Sequence, residues 1–360
     1  MSKIIIQRLL DQMKKYKADD IRIMEVCGTH TQAIAKNSIQ SLIPPQVELL
    51  SGPGCPVCVT PEMYIDNAIK LILEEDIILT TFGDMVRVKG SSESIDDQRI
   101  KGKKAVIVYS PFDVIELAQD NPEKLIVFLS IGFETTAPII ASIVKVLEEK
   151  KIENIKLLTS LKLMPPILKE VLRRQKNTLN GIICPGHVAT VMGEEYFQFI
   201  ADEFDTPAVI CGFDALDIIS GIYLILKSIN ERHAAICSNI YKKCVFPQGN
   251  LKAKSLMNEV FQVKGGLWRG IGFIDKSALV LDEKYNKYDA AVHFKLNDAI
   301  DNTDLECDCS NVLFGNKLPL DCKMFGVICN PDNPKGPCMV STEGACAIYY
   351  RYRRWFYELF

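Results

Sequence analysis

The residues best able to do chemistry in this chain are thiols, and they are gathered. Of thirteen cysteines in 360 residues, six fall near one end: Cys307, Cys309, Cys322, Cys329, Cys338 and Cys346. In a reducing compartment thiols are seldom collected for disulfide stapling. They are collected to hold a metal or to relay electrons. Structural zinc favours paired CxxC knuckles, and this tail has none. A CxC followed by four well-separated thiols suits an iron–sulfur cubane, which is wide enough to be gripped from scattered loops. Cys322, Cys329, Cys338 and Cys346 are the expected ligands. Cys307 and Cys309 are then a nearby redox pair or alternative ligands.

Further candidates lie upstream. Cys27 is expected where a strand ends and a helix begins, and a helix N-terminus favours the thiolate. His30 is close in sequence, and a thiolate with an imidazole makes an open site suited to iron. The plainer alternative has Cys27 buried and His30 capping the turn. Cys55-Pro-Val-Cys58 is a CxxC at a strand-to-helix junction, and a reversible disulfide is preferred there over half a zinc site. Glu134 and His187 are expected on exposed rims, for proton transfer or substrate hydrogen bonds. Both have a structural alternative, and Thr135 and Thr136 can simply cap a helix. Cys237 and Cys244 lie outside any motif and are expected as small buried residues.

The elements that must position these groups alternate. Candidate strands at Ile21–Val26, Val47–Leu50, Ile77–Thr80, Ala105–Tyr109, Leu125–Leu129, Ile155–Leu158, Gly181–Ile183 and Ala208–Ile210 are separated by amphipathic stretches. Such alternation implies parallel sheets with right-handed crossovers. The expected fold class is α/β: two Rossmann-like parallel-sheet domains, 1–120 and 121–235, plus a C-terminal Cys-rich iron–sulfur domain over 236–360. The segment Trp268–Phe273 is expected to be β-rich. Ligands bind at the carboxyl ends of parallel strands, so the thiol and histidine loops should collect on a rim of each sheet.

Composition narrows the class. Apolar residues make up 48% and charged residues 24%, with a net charge of −3. That is a globular balance with no electrostatic case for nucleic acid. The cluster Arg351, Arg353, Arg354 is expected to be a solvated face. The segment Met1–Lys17 has too many charges for a signal-peptide core. With Ile6, Leu9, Leu10 and Met13 on one face it is expected as a packed amphipathic helix. No stretch reaches the length of a membrane span, and a cytoplasmic protein is expected. Neither a phosphate loop nor a GxGxxG is present, so nucleotide use has no motif behind it.

Five stretches together resemble the hydrogenase maturation factor family HypD: Met24–Thr31, Ser51–Cys58, Gly132–Pro138, Pro185–Val188 and Cys338–Tyr350. They run nearly the whole length of the chain. Two positions depart from the family pattern: Asp214–Ala215, where Glu–Pro is usual, and Ser310, where glycine is usual. The resemblance implies a 4Fe-4S cluster and a role in building the Fe(CN)2CO unit of [NiFe] hydrogenases. It implies HypC as a bound partner and HypE as cyanide donor, with HypF upstream. Cys27 would help hold the transient iron that acquires CN and CO ligands, and Cys55 and Cys58 would form a thiol relay. Two other functions compete: a cluster-dependent thiol–disulfide oxidoreductase acting through Cys55 and Cys58, and an α/β binding protein with a zinc tail.

Overall fold

Unbroken apolar runs, such as Leu125–Leu129, cannot face water on either side, so they build parallel sheets covered on both faces. The computed structural model describes residues 2–16, 20–176, 178–231, 234–296 and 307–352. Arg353 and Arg354 of the terminal arginine cluster lie outside them. Among the described residues the strands are β1 (Ile21–Glu25), β2 (Val47–Ser51), β3 (Ile77–Thr81), β4 (Ala105–Ile107), β5 (Leu125–Gly132), β6 (Ile155–Lys162), β7 (Gly181–Cys184), β8 (Ala208–Ile210), β9 (Cys237–Asn239), β10 (Phe261–Trp268) and β11 (Gly272–Leu281).

They form two sheets. The first has the order β2-β1-β7-β8-β9, and the second β10-β11-β6-β5-β3-β4. The first is parallel throughout, with Met24 level with Leu50 on one side and Ile182 on the other. The second is parallel from β6 to β4, and β10 and β11 add an antiparallel hairpin at the β6 edge. The α/β class and the two parallel-strand sheets are those the sequence implied.

The domain boundaries are not. The chain divides into a first unit, 1–55 with 167–251 and 307–360, and a second unit, 56–166 with 252–306. The sequence division at 120 and 235 assumed that consecutive strands pair, the commoner case. Here β1, paired with β2 on one side, pairs with β7 on the other, and the chain between β2 and β7 builds the other sheet. The expected third domain is also divided. The β10–β11 hairpin completes the second sheet, while the cysteine tail packs on the first unit. Ala35 of the helix Gly28–Lys36 meets Ile348 and Tyr349 of the helix Ala345–Arg351 in a small core. Burying each such large side chain contributes about 1.5–3 kcal/mol, which fastens the tail beside the loop that follows β1. The amphipathic helix Ser2–Met13 lays Leu10 and Met13 into the first unit's core, as its spacing required. No described helix is long and apolar enough to cross a membrane.

Candidate functional site

Cys27 stands at the N-cap of the helix Gly28–Lys36, at the carboxyl end of β1. Its carbonyl accepts from His30 N–H at 2.8 Å, and its own N–H donates to Glu25 Oε2 at 2.9 Å. The second carboxylate oxygen of Glu25 accepts from the Thr31 hydroxyl. This carboxyl is almost wholly buried, and burial raises its pKa to about 7 against the pull of those hydrogen bonds. The Cys27 thiol is not the acidic group that a helix terminus promised. Burial first, and the adjacent Glu25 second, push it up to about 12. A few partial charges at a helix end do not offset loss of water around a thiolate.

His30 is buried, and its Nε2 lies 3.1 Å from the carbonyl of Gly212. A carbonyl can only accept, so Nε2 carries the proton and Nδ1 presents a bare lone pair. That nitrogen has no partner among the described residues. Burial lowers the pKa of His30 to about 4, so the ring is neutral at ordinary pH. Cys211 Sγ lies 3.7 Å from Nε2. Phe213 stacks against both imidazoles, 4.5 Å from His30 and 4.0 Å from His187. His187 is exposed on the rim, as expected. The loops after β1, β2, β7 and β8 thus collect at the carboxyl ends of one parallel sheet, bringing Cys27, His30, Cys55 and His187 into the same unit.

Cys58 and Glu134 belong to the second unit. Cys55 and Cys58 are disulfide-bonded. Glu134 is a correction, because it is completely buried and accepts from Met164 N–H at 2.7 Å through Oε1. The residue after a glycine and a phenylalanine at a strand end turned inward, where it ties the start of the helix Met164–Arg174 that follows β6. Cys237 and Cys244 are part-exposed rather than buried; Cys237 lies on β9, the edge of its sheet, and Cys244 in the loop that follows it.

The tail thiols come together as their number suggested. Cys307, Cys309, Cys322, Cys329 and Cys346 line one cavity, and Cys338 joins it through a hydrogen bond with Cys309. Cys309 is the hub. Its sulfur lies 3.0 Å from that of Cys307 and also bonds Cys338 and Cys346. One sulfur receiving three S–H donors is stabilised as a thiolate, so the Cys309 thiol is pulled down while Cys307, Cys338 and Cys346 are pushed up. Gly336 forms one wall, where an added Cβ would come within 2.5 Å of both Cys307 Sγ and Cys309 Sγ. Five soft donors lining a small apolar cavity, a sixth hydrogen-bonded to one of them, and glycine where any side chain would intrude fit an iron–sulfur cluster.

Comparison with known proteins now decides the family. The HypD family model, described as "Hydrogenase formation hypA family", matches residues 3–353. The chain belongs to this family. It is 39% identical over 341 residues to the hydrogenase maturation factor HypD2 of Bradyrhizobium diazoefficiens, covering 92% of this chain and 90% of that protein. It is 38% identical over 335 residues to the hydrogenase maturation factor HypD of Escherichia coli, covering 93% and 90%. It is 38% identical over 352 residues to a putative hydrogenase expression/formation protein of Methanocaldococcus jannaschii, covering 97% and 98%.

Within this HypD-family chain, two positions that shape the Cys27 surroundings escaped the sequence reading. Glu25 ends an apolar strand, and a carboxylate there signals a buried charge to be explained. Gly54 is the other. A Cβ at Gly54 would sit 2.4 Å from the backbone nitrogen of Cys27, so the loop carrying Cys55 rests directly on the Cys27 peptide. Gly54→Ala is expected to cost about 1–3 kcal/mol, the usual range for overpacking. A lowered denaturation midpoint should be accompanied by changed alkylation of Cys27. An unchanged midpoint would mean that the loop does not rest there.

Proposed function

We propose that this chain is a [NiFe] hydrogenase maturation factor. With a HypC-type partner it serves as scaffold and redox-active assembly site for an iron that acquires cyanide and carbonyl ligands, the cyanide coming from a HypE-type donor. One observation carries the reading. At the end of β1, the Cys27 peptide is in contact with Gly54 of the CxxC loop, and Glu343 of the cysteine tail lies against Gly28. Three sequence motifs far apart in the chain meet at the Cys27–Gly28 backbone.

The chain's own groups have distinct tasks. Cys27 offers a thiol kept protonated by burial until a cation displaces the proton, since a coordinating thiol is deprotonated outright. His30 offers a lone pair on Nδ1. Glu25, with its pKa near neutrality, can take up a proton released beside it. The Cys55–Cys58 disulfide takes two electrons and two protons when it opens to two thiols. His187 and Glu134 complete the proposed set, His187 as a rim group and Glu134 by fixing the start of the helix after β6. Cys322, Cys329, Cys338 and Cys346 would hold a 4Fe-4S cluster, with Cys309 close enough to replace one of them. When bound, such a cluster supplies single-electron transfer.

Iron, zinc and acid-labile sulfide should be measured on anaerobically prepared protein. About four irons and four sulfides per chain are expected, with both falling sharply in Cys338→Ser. Zinc without sulfide would overturn the redox reading. The disulfide favours one second reading, a cluster-dependent thiol–disulfide oxidoreductase. That reading requires turnover of disulfide substrates by the isolated chain, whereas an assembly scaffold should show little without its partner.

A further inference from the structure

The corner between β10 and β11 is fixed by buried polar anchors on three consecutive residues. Lys162, itself buried, donates from Nζ to the carbonyl of Leu267 at 2.7 Å. Trp268 is fully buried and donates from Nε1 to Ser277 Oγ at 2.8 Å. Arg269, only 4% exposed, bonds to a different part of the second unit. Its backbone N–H donates to Val59 O at 3.0 Å. Its Nη2 donates to Glu62 Oε1 at 2.7 Å, and its Nη1 to Lys89 O at 2.9 Å.

A guanidinium this deep is tolerated only when paired and hydrogen-bonded. Its partners show what the pairing holds. Val59 follows Cys58, and Glu62 opens the helix Glu62–Leu73. The turn between them is closed from within by Thr60, whose hydroxyl donates to Pro56 O at 2.9 Å and whose N–H donates to Val57 O at 3.4 Å. Arg269 therefore grips the CxxC turn on its carboxyl side at two points and ties both to Lys89.

We infer that Arg269 is a positioning residue for the Cys55–Cys58 pair, holding the turn in the geometry in which the two sulfurs are bonded. It acts through Val59 and Glu62. The inference rests on the redox role proposed for this pair. An anchored turn keeps the two thiols near each other after the bond opens, which favours re-closure. Loosening the anchor should shift the couple towards the dithiol.

The test is a redox titration of the full chain in glutathione buffers, with the free thiols of Cys55 and Cys58 counted by alkylation and peptide mass analysis. In each turnover one S–S bond opens to two thiols while two glutathione thiols join as one disulfide. Arg269→Gln is expected to move the equilibrium about tenfold towards the dithiol, about 30 mV for a two-electron couple. Arg269→Lys keeps the charge but cannot reach Glu62 and Lys89 together, so about a threefold shift is expected. It also serves if the glutamine variant does not fold. Trp268→Phe removes the neighbouring anchor and should lower the melting temperature without moving the couple. Wild-type titration curves for the arginine variants, or an equal shift in Trp268→Phe, would overturn the inference. The couple titrates whatever its role in maturation. A flat result therefore sinks the anchor and leaves the relay standing, and loss of the relay in a maturation assay leaves the anchor measurable.

Discussion

Cys27→Ala is expected to lower hydrogenase maturation by roughly 100-fold or more, since even groups that only support a metal ligand cost 10–100-fold. The variant should keep its fold. Cys27 caps its helix chiefly with backbone geometry, and its sulfur takes only weak hydrogen bonds from the Thr29 N–H and hydroxyl, so alanine removes little capping. The lost sulfur leaves a small buried gap worth about 1 kcal/mol. The tail cavity is lined by other residues, so iron and sulfide per chain should match the wild type. The check pairs two measurements on one preparation: hydrogenase activity restored to a strain lacking the factor, and cluster content. Normal maturation would remove Cys27 from the assembly site. Loss of cluster together with maturation would mean that the variant perturbs the tail, and Cys27→Ser would then be compared. An oxygen ligand is a poor replacement for a soft thiolate at iron, so serine should also fail to support maturation.

What the sequence could say follows from which physics is local. Strand positions were legible because runs such as Leu125–Leu129 and Ile77–Leu79 are too apolar to be anything but doubly covered strands. The convergence of the tail thiols was legible because soft donors in number need a common object. The division into units was not, since the register of β1 with β7 spans more than 150 residues and leaves no local trace. Nor was the state of Cys27. Its place just before a helix was readable from the helix expected from Thr31 onward, which the structure begins at Gly28, but its acidity depends on burial and on Glu25, which only the packed structure supplies. Glu134 failed for the same reason. A carboxylate in a polar loop motif has no sequence mark saying whether it faces water or, as here, the N–H of Met164.

Glu25 and His30 should oppose each other in the pH dependence of stability. The pKa of Glu25 is raised to about 7, so this carboxyl contributes stability that is full below about 4.5 and is lost as pH rises through 7. The pKa of His30 is lowered to about 4, so it contributes stability that is full above 6.5 and is lost as pH falls through 4. Each shift corresponds to about 3 kcal/mol at about 1.4 kcal/mol per unit. Between about pH 4.5 and 6.5 the folded chain holds a proton on Glu25 that the unfolded chain lacks, and lacks one on His30 that the unfolded chain holds. The two slopes then cancel, and wild-type stability from these groups should be flat. Glu25→Gln removes one side, and its stability should rise with pH by about 1.4 kcal/mol per unit across that window. His30→Gln removes the other, and its stability should fall with pH at the same rate. Denaturant midpoints of iron-free protein at several pH values in the window read this directly. Parallel curves for wild type and both variants would mean that neither group titrates differently in the folded chain. Glu25 would then not be the near-neutral proton acceptor beside Cys27 that the assembly reading uses.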